Sequence, residues 1–237
     1  MKTTTRSRSL LAVVAVLVSG SACAAAPTAF TATYKVLRGG SAIGESTLTL
    51  RADGDGGWSY ASDMRGTSGM AAMLGASVKE NSRFRWHDGH PEAVAYNYDM
   101  DAAIKHKQRH VTVDWKAGKV AVDDGKKGHF AFATQPGMVE RHLLPLALGY
   151  ALADGSKTQL SIPVAVQNRV QVQSFNITGK DPVDVPAGHF NAVRVDRTDD
   201  NKGFSAWYMP ARYPVPVKLA QTDGGDITLL LKSFTPQ

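Results

Sequence analysis

The sequence predicts a mainly β protein: one large, curved antiparallel sheet, a half-barrel or open barrel, with one broken central helix. Three observations carry that expectation. Apolar and polar residues alternate along most of the chain, the mark of strands with one face buried. The joints between those strands are short and rich in Gly, Asp and Pro, which implies neighbouring antiparallel strands rather than crossovers. Only Gln135 to Asp154 is apolar nearly all round, as a buried helix is.

The N-terminus comes first. Lys2, Arg6 and Arg8 precede the apolar run Leu10 to Val18, and small residues follow from Gly20 to Ala24. Basic, apolar and small segments in that order read as a secretory signal over residues 1–24, too short to span a membrane. Residues 25–237 are then expected to form a single β-rich domain in the periplasm. The formal charge of +6 includes those three basic residues, so the remainder carries +3, which gives no case for nucleic acid. Cys23 is the only cysteine and excludes an intramolecular disulfide. Gly20 stands where lipoprotein processing wants a large aliphatic residue, so removal of Cys23 with the signal is favoured over its acylation as a lipid anchor.

In the first strand Phe30, Ala32, Tyr34 and Val36 share one side and Thr31, Thr33 and Lys35 the other. Gly39-Gly40 turns the chain into Ile43 to Arg51, and Asp53 to Gly57 turns it again into Trp58 to Met64. Val111, Val113 and Trp115 alternate with Thr112 and Asp114, and the Lys116 to Lys119 turn leads back through Val120 and Val122. Strands are expected over Gln159 to Val166, Val170 to Thr178, Phe190 to Arg197, Phe204 to Met209, Val215 to Gln221 and Ile227 to Phe234, with a turn at Gly179-Lys180. Gly and Asp at the joints supply the backbone angles that hairpins require. Gly66 to Ser77 reads as a loop or one short helical turn. Within Gln135 to Asp154, Pro145 forbids one regular helix and suits the first turn of a second.

Chemistry is sparse. His106 and His110 have helical metal-ligand spacing, but on a strand four residues separate them by roughly 13 Å, too far for one ion. They belong with Lys105, Lys107 and Arg109 on a basic strand. His87 and His90 flank an Asp-Gly turn, no metal site is expected, and no pattern implies a cofactor. Nucleophile elbow, S-x-x-K and H-E-x-x-H motifs are missing from the sequence, and no enzyme is expected. A hydrolase would need Ser, His and Asp groups brought within hydrogen-bond reach by the fold.

Met70, Met73 and Leu74 form an uncharged, glycine-flanked segment able to contact an irregular apolar partner. With Trp58 and Trp86 they are the candidate ligand contacts. The aromatics Trp58, Tyr60, Phe84, Trp86, Tyr96 and Tyr98 fall on successive strands, suited to core or to a cavity wall.

The run from Pro186 to Val195, then Ala206-Trp207-Tyr208-Met209-Pro210, Tyr213 to Lys218 and Asp223 to Leu229, taken with Tyr34-Lys35-Val36 and Ile43-Gly44-Glu45, resembles a family of exported bacterial proteins classed as a domain of unknown function. The resemblance covers essentially all of the chain beyond the signal. It implies an antiparallel half-barrel similar in shape to periplasmic lipoprotein carriers, with an apolar groove and no catalytic residues to transfer. Where relatives tend to lead the central helix with Asp and Ser, this chain has Val139-Glu140-Arg141-His142. The expected function is therefore a non-enzymatic binder or carrier of an apolar or lipidic ligand, or an envelope-biogenesis factor. A scaffolding protein that meets an envelope partner through Lys105, Lys107 and Arg109 is the alternative.

Overall fold

The computed structural model describes residues 26–103, 105–153, 155–200, 203–222 and 225–237. The signal-peptide reading of residues 1–24, with Cys23, lies outside the described residues. Fifteen strands form one open sheet: β1 (Phe30–Arg38), β2 (Ser41–Ala52), β3 (Trp58–Gly66), β4 (Ser77–His87), β5 (His90–Ala102), β6 (Lys105–Asp114), β7 (Lys119–Asp123), β8 (His129–Ala133), β9 (Val139–Glu140), β10 (Gln159–Ala165), β11 (Val170–Val185), β12 (Gly188–Arg197), β13 (Phe204–Tyr208), β14 (Lys218–Gln221) and β15 (Ile227–Pro236). Their spatial order is β8-β7-β6-β5-β4-β3-β2-β1-β15-β14-β13-β12-β11-β10-β9. Every pairing is antiparallel except β9 with β10. The expected curved antiparallel sheet with a central helix is therefore the architecture found.

The sheet curls without closing. Met138, just before the edge strand β9, accepts a hydrogen bond from the Ala93 amide of β5 at 2.9 Å, which brings the two limbs together. Strands β6 to β8 continue past that seam. A main core gathers Phe30, Tyr34, Leu50, Tyr60, Phe84 and their neighbours from most of the sheet. A smaller one, with Tyr96, Val111, Val113, Val120, Val122 and Met138, lies beneath the β5–β8 limb.

Helix α2 (Leu144–Leu152) plugs the main core. Proline is accommodated at its first turn, as expected, because an amide there has no helical acceptor to lose. The stretch from Gln135 to Leu143 is not helical; it forms β9 and turns. Gly149 sets how closely α2 approaches the chain end of the barrel: a Cβ there would stand 1.9 Å from the Pro214 carbonyl oxygen.

Two expectations are corrected by register. Gly179 is not a turn. Strand β11 runs through it for 16 residues, with a bulge between Ile177 and Gly179 that absorbs its φ of +124°. Val215 and Val217 are fully buried, but regular strand begins only at Lys218, because Pro214 and Pro216 withhold amide donors. The Gly66 to Ser77 segment contains the five-residue helix α1 (Gly69–Met73), as the short-turn reading expects.

Candidate functional site: a cavity with a buried polar relay

The register explains where space opens inside the curl. Leu50, Tyr60, Ser82, Tyr96, Val111, Val122 and Phe130 lie opposite one another across seven strands, a row that is apolar or aromatic except for one serine. The adjacent row reads Leu48, Ser62, Glu80, Tyr98 and Arg109, and the next Ser46, Met64, Val78, Met100 and Lys107. Small hydroxyl side chains at Ser46 and Ser62 replace bulk that would otherwise fill the interior. The result is a cavity of about 970 Å³. Its apolar and aromatic wall includes Tyr34, Leu48, Tyr60, Tyr96, Leu219 and Leu229.

The turn between β9 and α2 closes over this cavity. His142 stacks on Tyr60, with ring centroids 4.8 Å apart and an interplanar angle of 30°, and leans over Tyr96 at 6.1 Å. Its Nδ1 lies 2.7 Å from Ser82 Oγ. The same hydroxyl donates to Glu140 Oε1 at 2.5 Å. The Glu140 carboxylate also accepts the amides of His142 at 2.7 Å and Leu143 at 3.1 Å. Ser82 is fully buried and Glu140 is 2 % exposed. Burial pushes the Glu140 carboxyl up to about 8, against the pull of Ser82 and the two amides. Burial likewise holds the His142 imidazole below its ordinary value.

This brings together serine, histidine and acid, the grouping a hydrolase would require, but in a different order. In a Ser-His-acid triad the acid binds the imidazole nitrogen remote from the serine, and the hydroxyl faces the substrate. Here Glu140 sits on the serine and on backbone amides, Ser82 is enclosed, and the free ring nitrogen is His142 Nε2, which is buried without a hydrogen-bond partner. The chain of contacts runs Glu140, Ser82, His142, then cavity. It is arranged to present an imidazole nitrogen rather than an attacking hydroxyl.

A second orphan belongs to the same lining. Arg109 lines the cavity, and its buried Nε has no hydrogen-bond partner. Lys105, Lys107 and Arg109 occupy alternate positions of β6, in phase with the buried Val111 and Val113. The inward face of this strand thus turns from apolar to basic toward the mouth. Lys126 and Lys127, in a short 3₁₀ turn, and Arg141 add to the lining. The opposing carboxylates are Glu80, which accepts the Tyr96 hydroxyl at 2.6 Å, and Asp124, 3.9 Å from Lys127 Nζ.

The candidate contacts named from sequence lie elsewhere. Met70 and Met73 on α1, and Leu74 after it, are exposed at 64 %, 80 % and 44 %. None of them lines the cavity. Trp58 and Trp86 pack against the main core, Trp86 meeting Tyr150 edge-on at 4.8 Å. Of the basic group, His110 bonds Asn97 at 2.8 Å and His106 approaches Asp101 at 3.2 Å, each without the other. Ser82, Glu140 and His142 were not identified by sequence reasoning, since about 60 residues separate the serine from the other two.

Among the described residues, one cluster offers three potential metal-ligand atoms within 4.8 Å: His87, His90 and Glu92. Glu92 is the third ligand the spacing of the histidines did not suggest. Its carboxylate already holds Arg85 Nε at 2.8 Å and the Gly137 amide at 2.7 Å. Burial opposes ionisation there, but these two donors outweigh it and hold the carboxyl below its ordinary range. A cation would have to displace a guanidinium, so the cluster is built as an ion pair.

An open, curled antiparallel sheet around a basic-mouthed cavity defines the class. The chain belongs to the family described as protein of unknown function DUF3108, whose family model matches residues 29–232. It is also similar to a solved structure, the β-barrel-like protein of domain of unknown function DUF1849 from Brucella abortus. That likeness has a TM-score of 0.51 and 12 % identity, covering 89 % of this chain and 98 % of the other. At that identity it is a likeness of fold. No curated protein matches the sequence.

Proposed function

We propose that this protein is a non-enzymatic binder or carrier of an apolar or amphipathic ligand, working in the periplasm after export. The observation that carries the reading is the cavity of about 970 Å³ between aromatic and aliphatic walls. Small-molecule sites typically measure roughly 300–1,000 Å³ and combine apolar walls with few polar groups, as this one does. Release from water of the apolar part of a ligand would supply about 25 cal/mol per Å² of buried surface.

The Met-rich turn fits this reading as an entrance. The Leu74 carbonyl accepts the Ala103 amide at 2.9 Å, so the turn stands beside the start of β6, whose Lys105 and Lys107 line the cavity. Exposed methionines next to lysines suit contact with an anionic lipid surface, from which an amphiphile could pass inward. Among the described residues no helix is long and apolar enough to cross a membrane, so such contact would be peripheral.

Organic extraction of protein purified from native envelope, followed by lipid mass spectrometry, tests the proposal. A bound amphiphile at near-stoichiometric yield is expected. A blank extract, together with no uptake of long-chain amphiphiles in vitro, would overturn it.

A further inference from the structure

Among the described residues, two buried side-chain nitrogens lack hydrogen-bond partners, Arg109 Nε and His142 Nε2, and both belong to residues lining the same cavity. Buried polar groups in folded proteins are nearly always paired, so an orphan asks for an explanation. Two orphans on one cavity, contributed by separate elements, point to a shared acceptor that the protein itself does not supply. We infer that the cavity holds an oxyanion, the carboxylate or phosphate headgroup of a single-chain amphiphile, seated against Arg109 and His142. The inference rests on reading the cavity as a ligand site.

The chemistry of the donors favours that class. Arginine is an obligate donor whose fork matches carboxylate and phosphate oxygens. The surrounding charges agree: Lys105, Lys107, Arg109, Lys126, Lys127 and Arg141 line the cavity, against Glu80 and Asp124. A cleft dominated by one sign focuses its field and draws the opposite charge inward. Both carboxylates have partners in the protein, Tyr96 for Glu80 and Lys127 for Asp124, which reduces their opposition to an incoming anion. His142 contributes through the relay. Ser82 has a single proton. With the Glu140 carboxyl protonated, which its burial favours, Ser82 accepts from Glu140 instead of donating to it and turns its own proton to His142 Nδ1, so the ring carries its proton on Nε2 and donates into the cavity. Below the anchored head, the row of Leu48, Tyr60 and Tyr96 and the facing Leu219 and Leu229 give an acyl chain its apolar wall.

The experiment compares four probes by calorimetric titration of the purified protein: hexadecanoate, hexadecyl phosphate, hexadecanol and inorganic phosphate. The two anionic amphiphiles should bind at least tenfold more tightly than hexadecanol, since a hydrogen bond to a charged group is worth roughly ten- to hundredfold in affinity. Arg109→Gln should remove most of that advantage and leave hexadecanol affinity unchanged. His142→Phe should act in the same direction while keeping the stack on Tyr60. Equal binding of hexadecanol and hexadecanoate would overturn the oxyanion inference and leave the apolar cavity reading standing. Inorganic phosphate binding as tightly as hexadecyl phosphate would support the oxyanion site and overturn the amphiphile as its source. Failure of all four probes would overturn both. Because Arg109 is only partly buried, Arg109→Gln should unfold at the wild-type midpoint, and a shifted midpoint with uniformly weakened binding would overturn its role as a headgroup contact.

Discussion

Ser82 Oγ and His142 Nδ1 lie 2.7 Å apart, although one residue sits mid-strand in β4 and the other on the turn into α2. The hydroxyl also holds Glu140, whose carboxylate accepts two backbone amides, so one buried serine ties β4 to the turn before α2. Ser82→Ala would leave Glu140 and His142 each short of one partner in a buried site. Urea unfolding at pH 7 should show a loss of about 1–3 kcal/mol, the cost of stranding a buried polar group. Unchanged stability would mean that the relay does not hold the turn in place.

Glu140 makes stability depend on pH with a definite sign. Its carboxyl titrates near 8 in the folded protein against 4.5 ordinarily, so between those values the folded state keeps a proton that the unfolded state has lost. This group's stabilising share is therefore full below about 4.5, declines as pH rises and levels off above about 8. The whole window is worth on the order of 5 kcal/mol at most. His142 acts oppositely, because its lowered value makes protonation disfavour the folded state as pH falls below 6.5. The other titratable groups facing Glu140 are Glu80 from β4, Tyr60 from β3 and Tyr96 from β5. Glu140→Gln should flatten the decline between pH 6.5 and 8 in thermal unfolding; a slope that persists would place its origin in another group.

Gly149 is expected to tolerate no side chain. Gly149→Ala places a Cβ 1.9 Å from the Pro214 carbonyl oxygen and forces α2 away from the Pro214–Val217 segment. A loss of about 1–3 kcal/mol is expected by chemical denaturation, the range for overpacking a filled core. Gly54→Ala is the control, since a Cβ there meets nothing within 4 Å and should change stability little.

The exposed methionines separate entrance from core. Met70→Ser with Met73→Ser should leave stability within about 0.5 kcal/mol of wild type, as exposed positions do. If α1 is the entrance, the double variant should slow uptake of a fluorescent fatty acid from anionic vesicles without changing its equilibrium affinity. Unaltered transfer kinetics would remove α1 from the pathway.

Much of the architecture was written in local pattern. The alternation of Phe30, Ala32, Tyr34 and Val36 became the buried side of β1, all nearly inaccessible. The Lys116 to Lys119 turn does join β6 to β7. The misread joints share one cause. Glycine and proline signal a departure from regular strand, but whether it becomes a turn at Gly179 or a bulge is settled by the partner strand, β12, and its register.

The candidate site was far less legible. Lys105, Lys107 and Arg109 stood out as a basic strand face, yet nothing nearby in sequence says whether that face meets solvent or a cavity. Ser82 is one serine among many until cross-strand register sets it between Tyr60 and Tyr96, beneath His142.

By itself the sequence determined the β class, the single buried helix that takes Pro145 in its first turn, and the positions of most turns, because these follow from hydrophobic period and local backbone preference. Only the tertiary structure decided which polar residues turn inward, where the interior is left unfilled, and that Arg109 and His142 face one cavity. Those outcomes depend on how a long sheet curls until residues far apart in the chain share one enclosed, low-dielectric space, and no local pattern encodes that closure.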